Sequence, residues 1–274
     1  MIPASFDYVR AGSFEEAIAA LVEHGDEAKL LAGGHSLIPL MKLRFATPSV
    51  LVDIGRVVDG AYIRDSGDHL SIGALTRHCD VHSSELLRDQ LPVLAAVAGM
   101  VGDPQVRHRG TIGGSLAHGD PASDFPAVLL ATGGSLIVRG PGGEREISVN
   151  DFFVGFLETA LAPDEVLTEI RVPKLPGAGW SYQKFNRRAQ DWAIVGAVAV
   201  RNGHTGVALV NMGPTAVRAS GVETALADGA SIADAAALAA EGTEPTSDFN
   251  ASSEYREHLA RVLVRRALEE ATNR

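Results

Sequence analysis

Between Ser13 and Gly25 the apolar residues Ala17, Ile18, Leu21 and Val22 share one helical face, opened by the capping box Ser13/Glu16 and closed by glycine, which predicts a helix. Lys29-Leu30-Leu31 and Val50-Leu51-Val52-Asp53-Ile54 are apolar runs of strand length, so residues 1–55 read as a small α/β unit. Residues 61–64 and 70–73 flank the turn Asp65-Ser66-Gly67-Asp68 and predict a hairpin. Leu86, Leu87, Leu91, Leu94 and Val97 predict a helical stretch over 85–100 with a break near Pro92. Asp124-Phe125-Pro126 opens another helix, with an acid at its positive end and proline in its first turn. Residues 135–138 and 145–148 form a second hairpin around Gly140-Pro141-Gly142-Gly143.

Pro173-Lys174-Leu175-Pro176-Gly177 reads as a linker closing a second unit, 56–175. Beyond it the pattern changes to three longer strand-like runs, 180–187, 193–201 and 206–212, with a hairpin turn at Asn202-Gly203-His204. Alanine-rich helical segments, 230–240 and 253–272, the latter carrying Leu259, Val262, Leu263 and Leu268, complete a third unit, 176–274. No internal repeat is present.

Composition narrows the functional classes. The 274 residues are 46% hydrophobic and 21% charged, ordinary for a globular protein. Lys and Arg number 24 against 34 Asp and Glu, a net charge of −10 that disfavours nucleic acid and anionic lipid as partners. Cys79 is the only cysteine, so the chain forms no internal disulfide and supplies no iron–sulfur cluster of its own. No apolar run is long enough for membrane insertion, and the first residues lack a basic segment followed by an apolar one; the expectation is a cytoplasmic protein.

The informative chemistry is a pair of glycine motifs, Ala32-Gly33-Gly34-His35-Ser36-Leu37 and Thr111-Ile112-Gly113-Gly114-Ser115-Leu116, each read as following a short extended stretch. Clustered main-chain N–H groups suit the dispersed charge of a diphosphate, and glycine permits close approach and positive φ. Ser36 and Ser115 add hydroxyl donors. Either motif alone is better explained by a tight turn; together they predict two loops closing on one large cofactor. The Rossmann Gly-x-Gly-x-x-Gly and the P-loop are absent. Neither serine lies in Gly-x-Ser-x-Gly, since Ile38 and Ala117 occupy the final position. No His-Glu-x-x-His exists, and most of His78, His82, His108 and His118 read as loop or surface histidines, so no metal site is expected.

These loops, with Gly119-Asp120-Pro121-Ala122-Ser123-Asp124-Phe125-Pro126 and Lys184-Phe185-Asn186-Arg187-Arg188, strongly resemble the FAD-binding medium subunits of molybdenum hydroxylases, of the carbon monoxide dehydrogenase and xanthine dehydrogenase type, over essentially the whole chain. The resemblance implies an α+β protein: a two-subdomain FAD-binding fold of the vanillyl-alcohol-oxidase type, then a domain of a three-stranded antiparallel sheet with a helical bundle. It implies that Leu31, Ala32, Gly33, Gly34, His35, Ser36, Leu37 and Ile38 clasp the FAD pyrophosphate together with Thr111, Ile112, Gly113, Gly114 and Ser115. It places Asp124 near the adenosine or ribitol, and Leu167 and Lys184 near the flavin ring. Competing roles are an N-cap, a core leucine and a solvated lysine. Trp192, at the start of a strand, is a further candidate for contact with the ring, a packing role being equally open. Ser115 stands where the family often has asparagine; the serine keeps a donor but has less reach.

The function so implied is electron transfer: FAD takes electrons from an iron–sulfur small subunit and passes them to an external acceptor, while a molybdopterin-bearing large subunit oxidises the substrate. Two other readings compete. A stand-alone flavin oxidase could link FAD covalently to His35, although the region after 173 looks too small and too poor in paired acids and bases for a substrate chamber. A binding or scaffolding module that has lost its cofactor is disfavoured by the intact glycine loops.

Overall fold

The computed structural model describes residues 1–274. The first sheet is parallel, with Val50–Asp53 between Asp7–Arg10 and Ala28–Leu31; Val50 pairs with both Asp7 and Ala28. The central strand is apolar because it is covered, and the helix Phe14–His24 buries Phe14, Ala17, Ala20 and Leu21 beneath it. Ser13 Oγ accepts from Glu16 N at 3.2 Å, and the Glu16 carboxylate accepts from Gly12 N at 2.7 Å, so the cap is closed on both sides.

The two predicted hairpins, Ile63–Asp65 with His69–Gly73 and Ser135–Gly140 with Gly143–Ser148, lie in one five-stranded antiparallel sheet, joined by Val166–Pro173 between them. Ile170 pairs with Ile72 on one side and Leu136 on the other. The helices Glu85–Gln90 and Pro92–Ala98, broken at Leu91, share one core cluster with this sheet and with a helix that the sequence did not announce, His78–Ser83. Helix Asp124–Thr132 runs buried from Asp124 to Ala131.

That burial comes from the last sheet. Gly179–Phe185, Val195–Asn202 and His204–Val210 form the three expected antiparallel strands, and a two-residue strand, Val217–Arg218, extends the edge. Alternation along these strands sends Val198, Val200, Ala208 and Val210 toward Phe125 and its neighbours. Ala197, Ala199, Val207 and Leu209 face the long helix Ser253–Asn273 instead, with its Leu259, Leu263 and Leu268. One core cluster of 35 residues therefore runs from Leu70 to Ala216 and ties the second and third sheets together. No helix is long and apolar enough to cross a membrane.

Candidate functional site

The two glycine motifs meet in one cleft of about 860 Å³. The first leaves the strand Ala28–Leu31 and enters the helix Leu37–Leu43, with Gly34 at φ 79°. The amides of Gly33, Gly34, His35 and Ser36 donate to no group of the chain, so four adjacent N–H groups stand free where an anion could take them. A Cβ on Gly33 would lie 2.3 Å from Arg109 O and 2.8 Å from Gly110 Cα. The first loop thus touches the backbone leading into the second.

The second motif is built differently from expectation. It follows no strand; Thr111 makes a single bridge to Arg77 and caps the helix Ile112–His118, its Oγ1 accepting from Gly114 N at 3.1 Å. Ile112 N donates to Thr76 O and Gly113 N to Ala74 O, both at 2.9 Å, and Ser115 N to Thr111 O at 3.0 Å. Its amides are therefore spent within the fold. The glycines serve approach instead, since a Cβ on Gly113 would fall 2.5 Å from that of Ala74. Ser115 Oγ is held 2.8 Å from Ser123 Oγ.

Leu31 to Leu37, Thr111, Gly113, Gly114, Ser115, Asp124, Leu167, Lys184 and Trp192 all line this cleft, whereas Ile38 and Ile112 do not. Ile112 is fully buried in the core, and Ile38 sits behind the loop, where a side chain on Gly34 would meet its Cγ1 at 3.1 Å.

At the floor, Lys184 Nζ lies 2.9 Å from Asp124 Oδ2, each side chain 6% exposed, and the Tyr182 hydroxyl donates to Asp124 Oδ1. Lys184 also reaches Met100 O at 3.4 Å. Both oxygens of Asp124 are engaged within the chain, so a ribose hydroxyl would have to share one. The N-cap position belongs to Ser123 rather than Asp124, and Lys184 is not a solvated surface lysine. Burial pushes the Asp124 carboxyl above its ordinary range and the Tyr182 phenol well above its own. Leu167 belongs to both the core and the lining. Trp192 is 59% exposed at the rim, not packed inside, and the backbone beside it is anchored by Asn211 Nδ2 to Ala193 O at 2.8 Å. Gln190 and Leu157, both lining the cleft, hold φ values of 67° and 57°, which non-glycine residues rarely adopt.

Sequence reasoning missed Tyr182 and His78. The first was findable: Tyr182 and Lys184 are two apart on one strand and share a face. His78 is buried beside Phe125 with ring centroids 5.1 Å apart. Burial, helped by the nearby His35 and Arg107, lowers its imidazole from 6.5 to about 4. The folded form then binds fewer protons than the open chain in that window, so stability is full above pH 6.5 and falls as pH drops toward 4, by about 3 kcal/mol. The melting midpoint of the chain should follow, and His78→Phe should flatten part of the fall; identical slopes would refute this.

A profile described as the FAD-binding domain in molybdopterin dehydrogenase matches residues 4–175, and one described as the CO dehydrogenase flavoprotein C-terminal domain matches 180–271. The carbon monoxide dehydrogenase medium chain of Hydrogenophaga pseudoflava is 43% identical over 99% of this chain and 98% of its own length. Subunit alpha of the 6-hydroxypseudooxynicotine dehydrogenase complex of Paenarthrobacter nicotinovorans is 40% identical over 100% of this chain and 97% of its own. Among solved structures, carbon monoxide dehydrogenase from H. pseudoflava lacking the Mo-pyranopterin moiety superposes with a TM-score of 0.97 at 43% identity, covering 100% of this chain and 99% of that one. FAD is the cofactor of this chain, and the four free amides from Gly33 to Ser36 suit a diphosphate. The chain belongs to the FAD-binding medium-chain family of the molybdopterin dehydrogenases and is an FAD-dependent oxidoreductase subunit of the carbon monoxide dehydrogenase type.

Proposed function

We propose that this chain is the electron-transfer subunit of a molybdenum hydroxylase located in the cytoplasm. In this reading it takes electrons from a partner iron–sulfur subunit, delivers them to an external acceptor, and leaves substrate oxidation to a molybdopterin-bearing large subunit. The observation that carries it is the convergence of the free Gly33–Ser36 amides, the Gly113-Gly114 wall, the Asp124–Lys184 pair and Trp192 on one cleft. The lone Cys79 supports a division of labour in which clusters sit on another chain. The units 1–55, 56–175 and 176–274 are proposed as two flavin-binding subdomains and a covering domain, each centred on one of the larger sheets.

Bound FAD supplies a centre that can exchange two electrons, singly or together. The chain's residues hold it and set its surroundings. The Gly33–Ser36 amides would neutralise the diphosphate, and Leu167 would offer an apolar surface to the ring. Lys184, kept in place by Asp124, would present positive charge where the flavin pyrimidine edge gains electron density. Trp192, exposed at the rim, would cover or border the ring.

Purification of the native assembly tests the proposal. The expected result is one flavin per medium chain, iron and molybdenum on two co-purifying chains, and yellow colour released to the supernatant on acid precipitation. A chain that purifies alone with acid-stable flavin would overturn it in favour of a His35-linked oxidase.

A further inference from the structure

One polar group in the cleft wall has no answer within the chain. His78 opens the helix His78–Ser83, is 4% exposed, and its Nδ1 lacks a hydrogen-bond partner. Leaving such a group unpaired carries a desolvation penalty that folded proteins rarely keep without cause.

The ring is nonetheless firmly placed. Its backbone N–H donates to Gly110 O at 3.0 Å, and Phe125 packs against it at an interplanar angle of 44°. A Cβ on Gly110 would come 2.7 Å from His78 Nε2, so the glycine leaves the slot that the imidazole fills. Gly110 is also the residue against which Gly33 closes, and Phe125 adjoins Asp124. His78 therefore lies between the phosphate-binding loop and the Asp124–Lys184 floor, on the wall of the same cleft. A neutral imidazole carries one donor and one acceptor, and a ribityl hydroxyl, itself donor and acceptor, matches either. Nδ1 is sealed from solvent, whereas Nε2, which lies beside Gly110, is not sealed and makes no hydrogen bond within the chain either, so Nε2 is the nitrogen left to a ligand.

We propose that His78 is a cofactor-binding residue that hydrogen-bonds the ribityl chain of FAD, which supplies on binding the partner that the ring lacks in the chain alone. This rests on the assignment of FAD to the cleft, and the wild-type chain tests that assignment separately.

The flavin-free full-length chain, titrated with FAD, FMN and ADP, decides the matter. His78→Phe should weaken FAD and FMN about tenfold, the loss of one hydrogen bond to a partly charged ligand, and leave ADP unchanged. The flavin-free variant should melt no lower than wild type, because an apolar ring replaces an unpaired polar one. His78→Asn, which retains a donor and an acceptor, should recover most of the FAD affinity. Unchanged FAD affinity in the Phe variant, an equal loss for ADP, or no recovery with Asn overturns the proposal. His78→Leu repeats the test with less bulk, and failure of both apolar variants to fold also overturns it, since the ring would then be needed by the fold. A wild-type chain that takes no FAD overturns the assignment of the cleft and this inference with it.

Discussion

Gly33→Ala is expected to weaken FAD binding roughly a hundredfold, because overpacking of about 3 kcal/mol falls on the contact that brings the two loops together. The added methyl would meet Arg109 O at 2.3 Å and Gly110 Cα at 2.8 Å, both backbone atoms that cannot swing aside as a flexible side chain can. Relief requires the loops to part, which spoils the alignment of the free amides from Gly33 to Ser36 and loosens the slot around His78 at Gly110. Gly142→Ala is the matched control, since nothing lies within 4 Å of a Cβ there. Flavin per chain from the visible spectrum, followed by FAD titration of the stripped protein, measures the effect. Equal flavin content in both variants would show that close approach at Gly33 is dispensable.

The same two loops show what local sequence could and could not say. Their meeting in one cleft was legible, because glycine pairs with adjacent hydroxyls limit the number of things a loop can do. Their chemistry was only half legible. Thr111 stands three residues before Gly114, the spacing of an N-cap and the amide it satisfies, and that signal places the second pair inside a helix rather than in an open loop. Local capping also made the helix Phe14–His24 readable, whereas Asp7–Arg10 is a strand with three of its four residues exposed and no period to betray it. Its place is fixed by Val50–Asp53, more than forty residues away. His78 is the extreme case: nothing around it predicts burial, because its slot is made by Gly110 and Phe125, both distant in the chain. Lys184 misleads in the opposite direction, since an isolated lysine in a strand reads as solvated until Asp124 on another element closes over it.

That pair should yield the largest loss of stability of any single change in the cleft. Lys184→Met leaves Asp124 buried without its counter-charge and is expected to destabilise the flavin-free chain by about 3–5 kcal/mol, lowering its melting midpoint by about 10 °C. Asp124→Asn in the same chain should restore most of the loss, because the amide oxygen still accepts from Tyr182 and no buried charge remains. The pH dependence carries a sign that distinguishes this from a packing defect. Burial raises the Asp124 carboxyl above its ordinary range, and removing the lysine takes away the main influence opposing that rise. A raised folded value means that the stability gained by holding the neutral acid is full at low pH and lost as pH rises through that value. The deficit of Lys184→Met relative to wild type should therefore shrink as pH is lowered from neutral into the acid range. The double variant should show no such trend. Calorimetry across that range reads both effects, and a pH-independent deficit would mean that Lys184 contributes packing against Met100 and the strand rather than charge. The helix bearing Asp124 belongs to the second unit and the strand bearing Tyr182 and Lys184 to the third, so this is also where the charge beneath the flavin and the joint between two units become one structural feature.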